Sequence, residues 1–129
     1  MKTPTILVVE DEPDVRNLVV MTLKQAEYHV ITASDGVEAL KRCEEHTPQL
    51  ILLDISMPRV NGLDLLYLLK DMELLSRTQV VMLTALGYQE VVQKAMGYGV
   101  KDFIVKPFDV LDLLQRVERL MVSETNDPL

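Results

Sequence analysis

The sequence predicts an α/β fold: an open five-stranded parallel sheet with helices on both faces. Three observations carry this expectation. Five short apolar runs recur along the 129 residues, segments of helical period separate them, and the runs are continuously apolar rather than alternating. Continuous apolarity marks strands covered on both faces, and parallel neighbours need a crossover helix between them.

The runs are Ile6–Val9, His29–Thr32, Leu50–Leu53, Val80–Leu83 and Phe103–Val105. Each is too short for a helix, and β-branched residues favour strands, most clearly in the first, second and fourth. Val15, Leu18, Val19, Thr22, Leu23 and Ala26 follow the i, i+3, i+4 rule, with Pro13 suited to the first turn. Val37, Leu40 and Cys43 or Glu44 mark a second helix, entered through Asp35 with Glu38 three residues on and stopped before Pro48. Leu65, Leu66, Leu69 and Met72 mark a third helix. Val91, Val92 and Ala95 mark a shorter fourth, ended by Gly97 and Gly99. Val110, Leu113, Leu114, Val117 and Met121 mark a fifth, capped by Asp109. Residues 1–122 are expected to form one domain, and the polar Ser123–Leu129 a loose tail or the start of a linker.

Composition narrows the function classes. With 48% hydrophobic and 26% charged residues, the chain reads as an ordinary globular domain of a size that needs no disulfide or structural metal. Thirteen basic residues against twenty acidic ones give a formal charge of −7, and the basic residues are scattered. That speaks against direct binding of nucleic acid, which wants a basic face. Cys43 is the single cysteine and reads as helix packing in a reducing compartment. His29 and His46 are too isolated to make a zinc pair. No apolar run approaches the ~20 residues of a membrane helix, so a cytoplasmic protein away from membranes is expected.

The residues just past each strand bear the chemistry. Ile6–Val9 runs into Glu10-Asp11, Leu50–Leu53 into Asp54, Val80–Leu83 into Thr84, and Phe103–Val105 into Lys106-Pro107. Ligands of open parallel sheets bind in the crevice beyond the carboxyl ends of the strands. Three carboxylates, a hydroxyl and an ammonium are therefore aimed at one crevice. Singly, each is as well explained as a helix cap or a surface residue; four strand ends together are not. Clustered carboxylates repel one another unless something positive joins them, and Mg2+ takes oxygen ligands of this kind together with a phosphate oxygen. A metal, a cation and a carboxylate nucleophile are the parts of phosphoryl transfer.

In order, Val8-Val9-Glu10-Asp11-Glu12-Pro13, Leu52-Leu53-Asp54-Ile55-Ser56-Met57-Pro58 with Gly62 beyond, Leu83-Thr84-Ala85 and Lys106-Pro107-Phe108 resemble the response-regulator receiver family of two-component signalling. The likeness runs from about Thr5 to Met121. It implies a flavodoxin-like sheet of strand order 2-1-3-4-5 and a signalling switch, not an enzyme in the ordinary sense, that takes part in its own phosphotransfer and autodephosphorylation. It implies Asp54 as phosphoacceptor, Thr84 and Lys106 as partners of the phosphoryl group, and Mg2+ held by Glu10, Asp11, Asp54 and the backbone carbonyl of Ser56. Thr84 and Phe103 would form the switch. The implied donor is a sensor histidine kinase or histidine phosphotransfer protein, passing the signal to a downstream protein. In DNA-binding relatives an acid and an arginine at the positions of Asp102 and Arg116 pair across a homodimer of helix 4, strand 5 and helix 5, where Lys94, Lys101 and Arg119 also fall; unpaired solvated charges are the alternative for this chain.

Glu10 stands where many relatives have aspartate, Phe103 lacks the hydroxyl of the usual tyrosine, and Leu86 is apolar where some relatives are polar. Two rivals share the fold class. A flavin-binding protein would place phosphate against Glu10, Asp11, Glu12 and Asp14, which repel it. A haloacid-dehalogenase-like phosphatase wants a second acid two residues after the nucleophile, where Ser56 stands. A third alternative is a receiver-like interaction module that works without phosphorylation.

Overall fold

The structure, a computed structural model, describes residues 4–55, 62–71, 77–84 and 89–125. Strands and helices alternate: β1 (Thr5–Val9), α1 (Pro13–Gln25), β2 (His29–Ala33), α2 (Gly36–His46), β3 (Leu50–Asp54), α3 (Gly62–Asp71), β4 (Gln79–Thr84), α4 (Gln89–Gly97), β5 (Asp102–Val105) and α5 (Val110–Thr125). All four strand pairings are parallel, in the order β2-β1-β3-β4-β5. Each strand extends one or two residues past its apolar run. Thr5, Ala33, Asp54, Gln79, Thr84 and Asp102 continue the backbone ladder although their side chains add little or nothing to the apolar signal.

Side chains of a strand alternate between faces, and the core divides accordingly. Leu7, Val9, Ile51, Leu53, Val80 and Met82 point to one side, against Ala39 and Cys43 of α2, Leu65, Leu66 and Leu69 of α3, and Val92 and Ala95 of α4. Ile6, Val8, Leu50, Leu52, Val81, Leu83 and Ile104 point to the other, against Val19 and Leu23 of α1 and Leu113, Val117 and Met121 of α5. Crossovers of one hand explain the split. The chain winds outward from β1 to β2, then back over β1 to β3 and on to β5, so the helices after the reversal cover the opposite face. α5 returns to sit beside α1. The reversal opens a crevice beyond the ends of β1 and β3.

Helix ends follow local chemistry. Asp35 caps α2 by accepting from the Glu38 backbone N–H at 2.9 Å. Glu38 turns its carboxylate back to Ser34, accepting from its hydroxyl at 3.0 Å and from its N–H at 3.4 Å. α2 ends with Thr47 in the left-handed region (φ 45°), immediately before Pro48. Asp109 accepts from the Leu111 N–H at 2.7 Å and starts α5. Gly99, just past α4, has φ 99° and makes the turn into β5.

Two expectations need correction. Leu18, placed on the buried stripe of α1, is 47% exposed; Val19 and Leu23 are the buried residues of the helix, with Val15 and Val20 packed beside them. It borders a shallow groove with Val15, Lys106, Pro107 and Phe108, in which Val15 and Phe108 are only half-buried. α5 also continues to Thr125, past the residue at which the domain was expected to end. Met72 lies outside the described residues. Among the described residues, no helix is long and apolar enough to cross a membrane.

Cys43 is 3% exposed within the α2–α3 core, and burial, with the Glu44 charge beside it, pushes its thiol up to about 11. The thiolate is the reactive form. Labelling with a thiol reagent at pH 8 should therefore be slow in the folded protein and rapid in denaturant. Equal rates in both conditions would place Cys43 outside the core.

Candidate functional site

The strand register builds the site. β1 and β3 are paired so that Val9 lies opposite Leu53, which sets Glu10 and Asp54 side by side one step further along. β3 and β4 pair Asp54 with Leu83, and β4 and β5 pair Thr84 with Val105, leaving Thr84 and Lys106 next in line. Backbone bonds hold these ends in place: Glu10 N–H to the Ala33 carbonyl at 3.1 Å, Ile55 N–H to Leu83 at 3.0 Å, and Lys106 N–H to Thr84 at 2.6 Å. The Lys106–Pro107 peptide is cis.

Glu10, Asp54 and Thr84 are buried, and Asp11 stands more open to solvent. One carboxylate oxygen from each of Glu10, Asp11 and Asp54 lies within 4.8 Å of the others. Lys106 reaches in from β5, its Nζ 2.7 Å from Glu10 Oε1 and 3.5 Å from Asp54 Oδ2. Burial alone would lower the Lys106 pKa. The close Glu10 carboxylate and the charges of Asp54 and Glu12 outweigh it, and the ammonium titrates above the ordinary lysine value. A raised pKa means its stabilising contribution is complete below about pH 10.4 and is lost only as pH rises through the folded value.

Three carboxylates face one ammonium here, an excess of negative charge. Glu10 Oε1 is buried and, although close to Lys106, receives no hydrogen bond of good direction. Hard oxygen donors at this spacing, one of them a buried oxygen without a hydrogen-bond donor, fit a divalent cation. Glu10, Asp11 and Asp54 are thus a candidate metal site.

The sequence-predicted residues Glu10, Asp11, Asp54, Thr84 and Lys106 therefore meet at one crevice. Ser56 and Leu86 lie outside the described residues. Phe103 stands apart from the crevice, 39% exposed on the far end of β5 beside a groove of about 480 Å³ that Asp102, Val105 and Arg116 also line. Asp102 and Arg116, candidates for pairing between two copies, already pair within one chain. Arg116 Nη1 donates to both Asp102 oxygens at 2.8 and 2.9 Å, while its Nε donates to Asp112 at 3.0 Å. The Asp102 hydrogen bonds, more than any other contact, raise the guanidinium pKa.

Two contacts were not legible in sequence. The Glu12 N–H donates to Glu10 Oε2 at 3.2 Å, and Arg16 Nη1 donates to the Glu10 backbone carbonyl at 2.9 Å. Charge runs and helical period carry no signal for a bond to a carbonyl oxygen.

Residues 6–118 match the family model described as a response regulator receiver domain. The chain is 37% identical over 120 residues to the DNA-binding dual master transcriptional regulator RpaA of Synechocystis, covering 92% of this chain and 49% of that protein. It is 35% identical over 117 residues to the chemotaxis protein CheY of Listeria monocytogenes, covering 88% of this chain and 95% of that one. The chain thus spans about half the length of regulators such as the first and nearly all of the second. Among solved structures, the chemotaxis response regulator CheY4 of Vibrio cholerae superposes with a TM-score of 0.85 at 30% identity, over 92% of this chain and 99% of that one.

The Lys106 contacts give a prediction about stability. Lys106→Met strands the buried Glu10 carboxylate and should lower the unfolding free energy in chelator by roughly 2 kcal/mol, less than for a wholly buried pair because Lys106 is partly exposed. Adding Glu10→Gln to that variant should recover part of the loss in urea melts. If the double variant were as unstable as the sum of the singles, the pair would not be coupled.

Proposed function

The chain belongs to the response regulator receiver family, and we propose that it is a switch set by phosphorylation of Asp54 with Mg2+ in the crevice. The observation that carries this reading is the meeting of the Glu10, Asp11 and Asp54 carboxylates with Lys106 at the strand ends. Asp54 ends the central strand, between the acid pair after β1 and the Thr84 hydroxyl and Lys106 ammonium after β4 and β5. One Glu10 oxygen accepts from the Glu12 N–H and the other faces Lys106.

In the proposed transfer, an Asp54 carboxylate oxygen attacks phosphorus and forms the P–O bond of an acyl phosphate. The bond from phosphorus to a histidine nitrogen of the donor breaks, and the released imidazole nitrogen keeps the electron pair or takes a proton from solvent. Lys106 and Thr84 would hold the oxygens of the transferred group through charge and a hydrogen bond. Glu10, Asp11 and Asp54, with the Ser56 carbonyl that the family likeness implies, would hold Mg2+, which would supply further positive charge to the transferring group. The donor is a sensor histidine kinase or a histidine phosphotransfer protein. Hydrolysis of the acyl phosphate by water, with the domain's own groups assisting, resets the switch.

The proposed output runs through β4 and β5. Thr84 would move toward the phosphoryl group, Phe103 would turn inward, and the surface of α4, β5 and α5 would change. A downstream protein or a second copy would read that surface. Because Arg116 is already engaged by Asp102 and Asp112, pairing of Asp102 with Arg116 across a dimer there would need exchange of these pairs between chains.

Incubation with a small acyl phosphate and Mg2+ should add one phosphoryl group by intact mass, and Asp54→Asn or chelator should abolish it. Equal labelling of Asp54→Asn, or full labelling in chelator, would overturn the assignment. Sedimentation with the phosphate mimic beryllofluoride should reveal dimers that Arg116→Ala weakens. Monomers with and without the mimic would remove the dimer from this reading.

A further inference from the structure

Every polar atom of Glu10 has a neighbouring group. Its N–H donates to Ala33, its Oε2 accepts from Glu12, and its Oε1 faces Lys106. The fourth group, its backbone carbonyl, accepts from Arg16 Nη1 at 2.9 Å in a partly buried contact. Arg16 sits in the first turn of α1, and its own N–H donates to the Glu12 carbonyl at 2.9 Å. The guanidinium therefore ties the start of a helix to the point where the chain leaves the sheet.

The carbonyl of Glu10 and the N–H of Asp11 belong to one rigid peptide plane. Holding that oxygen fixes the tilt of the plane, and with it the Cα of Asp11 from which the more exposed carboxylate projects. Asp11 lies beyond the end of β1 and lacks the ladder support that Asp54 has in β3. Resting on the proposed role of this site in binding Mg2+, we propose that Arg16 is a positioning residue that sets the Asp11 and Glu10 carboxylates for the cation by clamping the Glu10–Asp11 peptide.

A bystander arginine would behave in the opposite way. A positive charge near an acidic crevice repels a divalent cation, so removing it should tighten Mg2+ binding. Removing a clamp should weaken binding although a repelling charge has gone. The sign of the change separates the two roles.

The test is titration of purified protein with Mg2+ alone, followed by amide chemical shifts, for wild type, Arg16→Gln and Arg16→Lys. Urea melts in chelator report whether each variant remains folded. Partners that orient metal ligands typically change affinity by one to two orders of magnitude; for a clamp on backbone we expect about fivefold weaker binding in Arg16→Gln. Arg16→Lys keeps the charge and a donor without the rigid fork, and should lie between that variant and wild type. The Mg2+ concentration for half-maximal phosphorylation by a small acyl phosphate should rise in the same order. Unchanged or tighter binding in Arg16→Gln, or equal loss in both variants with unfolding midpoints lowered in parallel, would overturn the clamp. If wild type itself bound no Mg2+ at these residues, the metal reading beneath it would fall too, and that failure shows in the wild-type titration alone.

Discussion

Glu10 is fully buried, and the charge it carries there constrains everything around it. A carboxylate removed from water is costly unless charge or hydrogen bonds replace the lost hydration. In this chain the replacement comes from Lys106, just past β5, and from the Glu12 N–H in the loop ahead, while Arg16 serves the backbone carbonyl. Glu12 and Arg16 follow Glu10 in the same loop and helix, but Lys106 reaches it only through the strand order β2-β1-β3-β4-β5. β5 is the strand farthest from β1 on its side of the sheet, yet its lysine crosses behind the ends of β3 and β4 to reach the acid. Lys106 is suited to this span, having a long apolar stem and a compact charged head.

The same topology explains why the site is rigid where it is. Asp54 and Thr84 are the last residues of β3 and β4, and the ladder holds each from one side, Asp54 opposite Leu83 and Thr84 opposite Val105. Glu10 and Asp11 lie one and two residues beyond β1, where the ladder has ended. Past the Glu10 N–H bond to Ala33, support there comes from local bonds that involve side chains. A helix opening two residues later, with proline in its first turn, leaves a short loop that a single arginine can span. Precision at the crevice thus comes from backbone pairing for some groups and from individual hydrogen bonds for others.

Most of this was legible in the chain itself because both signals are local. Continuous apolar runs such as Leu50–Leu53 can be read as buried strands, and the polar residue closing each run marks the crevice. The order of the strands was not legible from pattern; it came from the family likeness, since periodicity does not say which strands are neighbours. Leu18 was misjudged because i, i+3, i+4 spacing defines a stripe wider than the seat beneath α1, which Val19 and Leu23 already fill. Arg16 was missed because its partner is a backbone oxygen. The pairing of Asp102 with Arg116 inside one chain was missed for another reason: fourteen residues separate them, and only the docking of α5 against β5 brings them to 2.8 Å.

That intrachain pairing bears on how the outer face of β5 can be used. Arg116 is held by Asp102 and Asp112 before any second molecule arrives. Swapping such partly exposed pairs for equivalent ones across an interface conserves their number, and each is worth at most about 1 kcal/mol at a surface. Charges on this face can therefore set the orientation of a partner without driving its binding. The driving force must come from apolar area, and the face has some: Phe103 and Val105 are exposed on β5, and Met96 on α4. β5 carries Lys106 just past one end and Phe103 near the other, joined by a strand too short to bend independently at its two ends. A change at the crevice that shifts Lys106 or Thr84 therefore has a stiff route to the apolar part of that face, and the charged rim can follow by re-pairing without net loss.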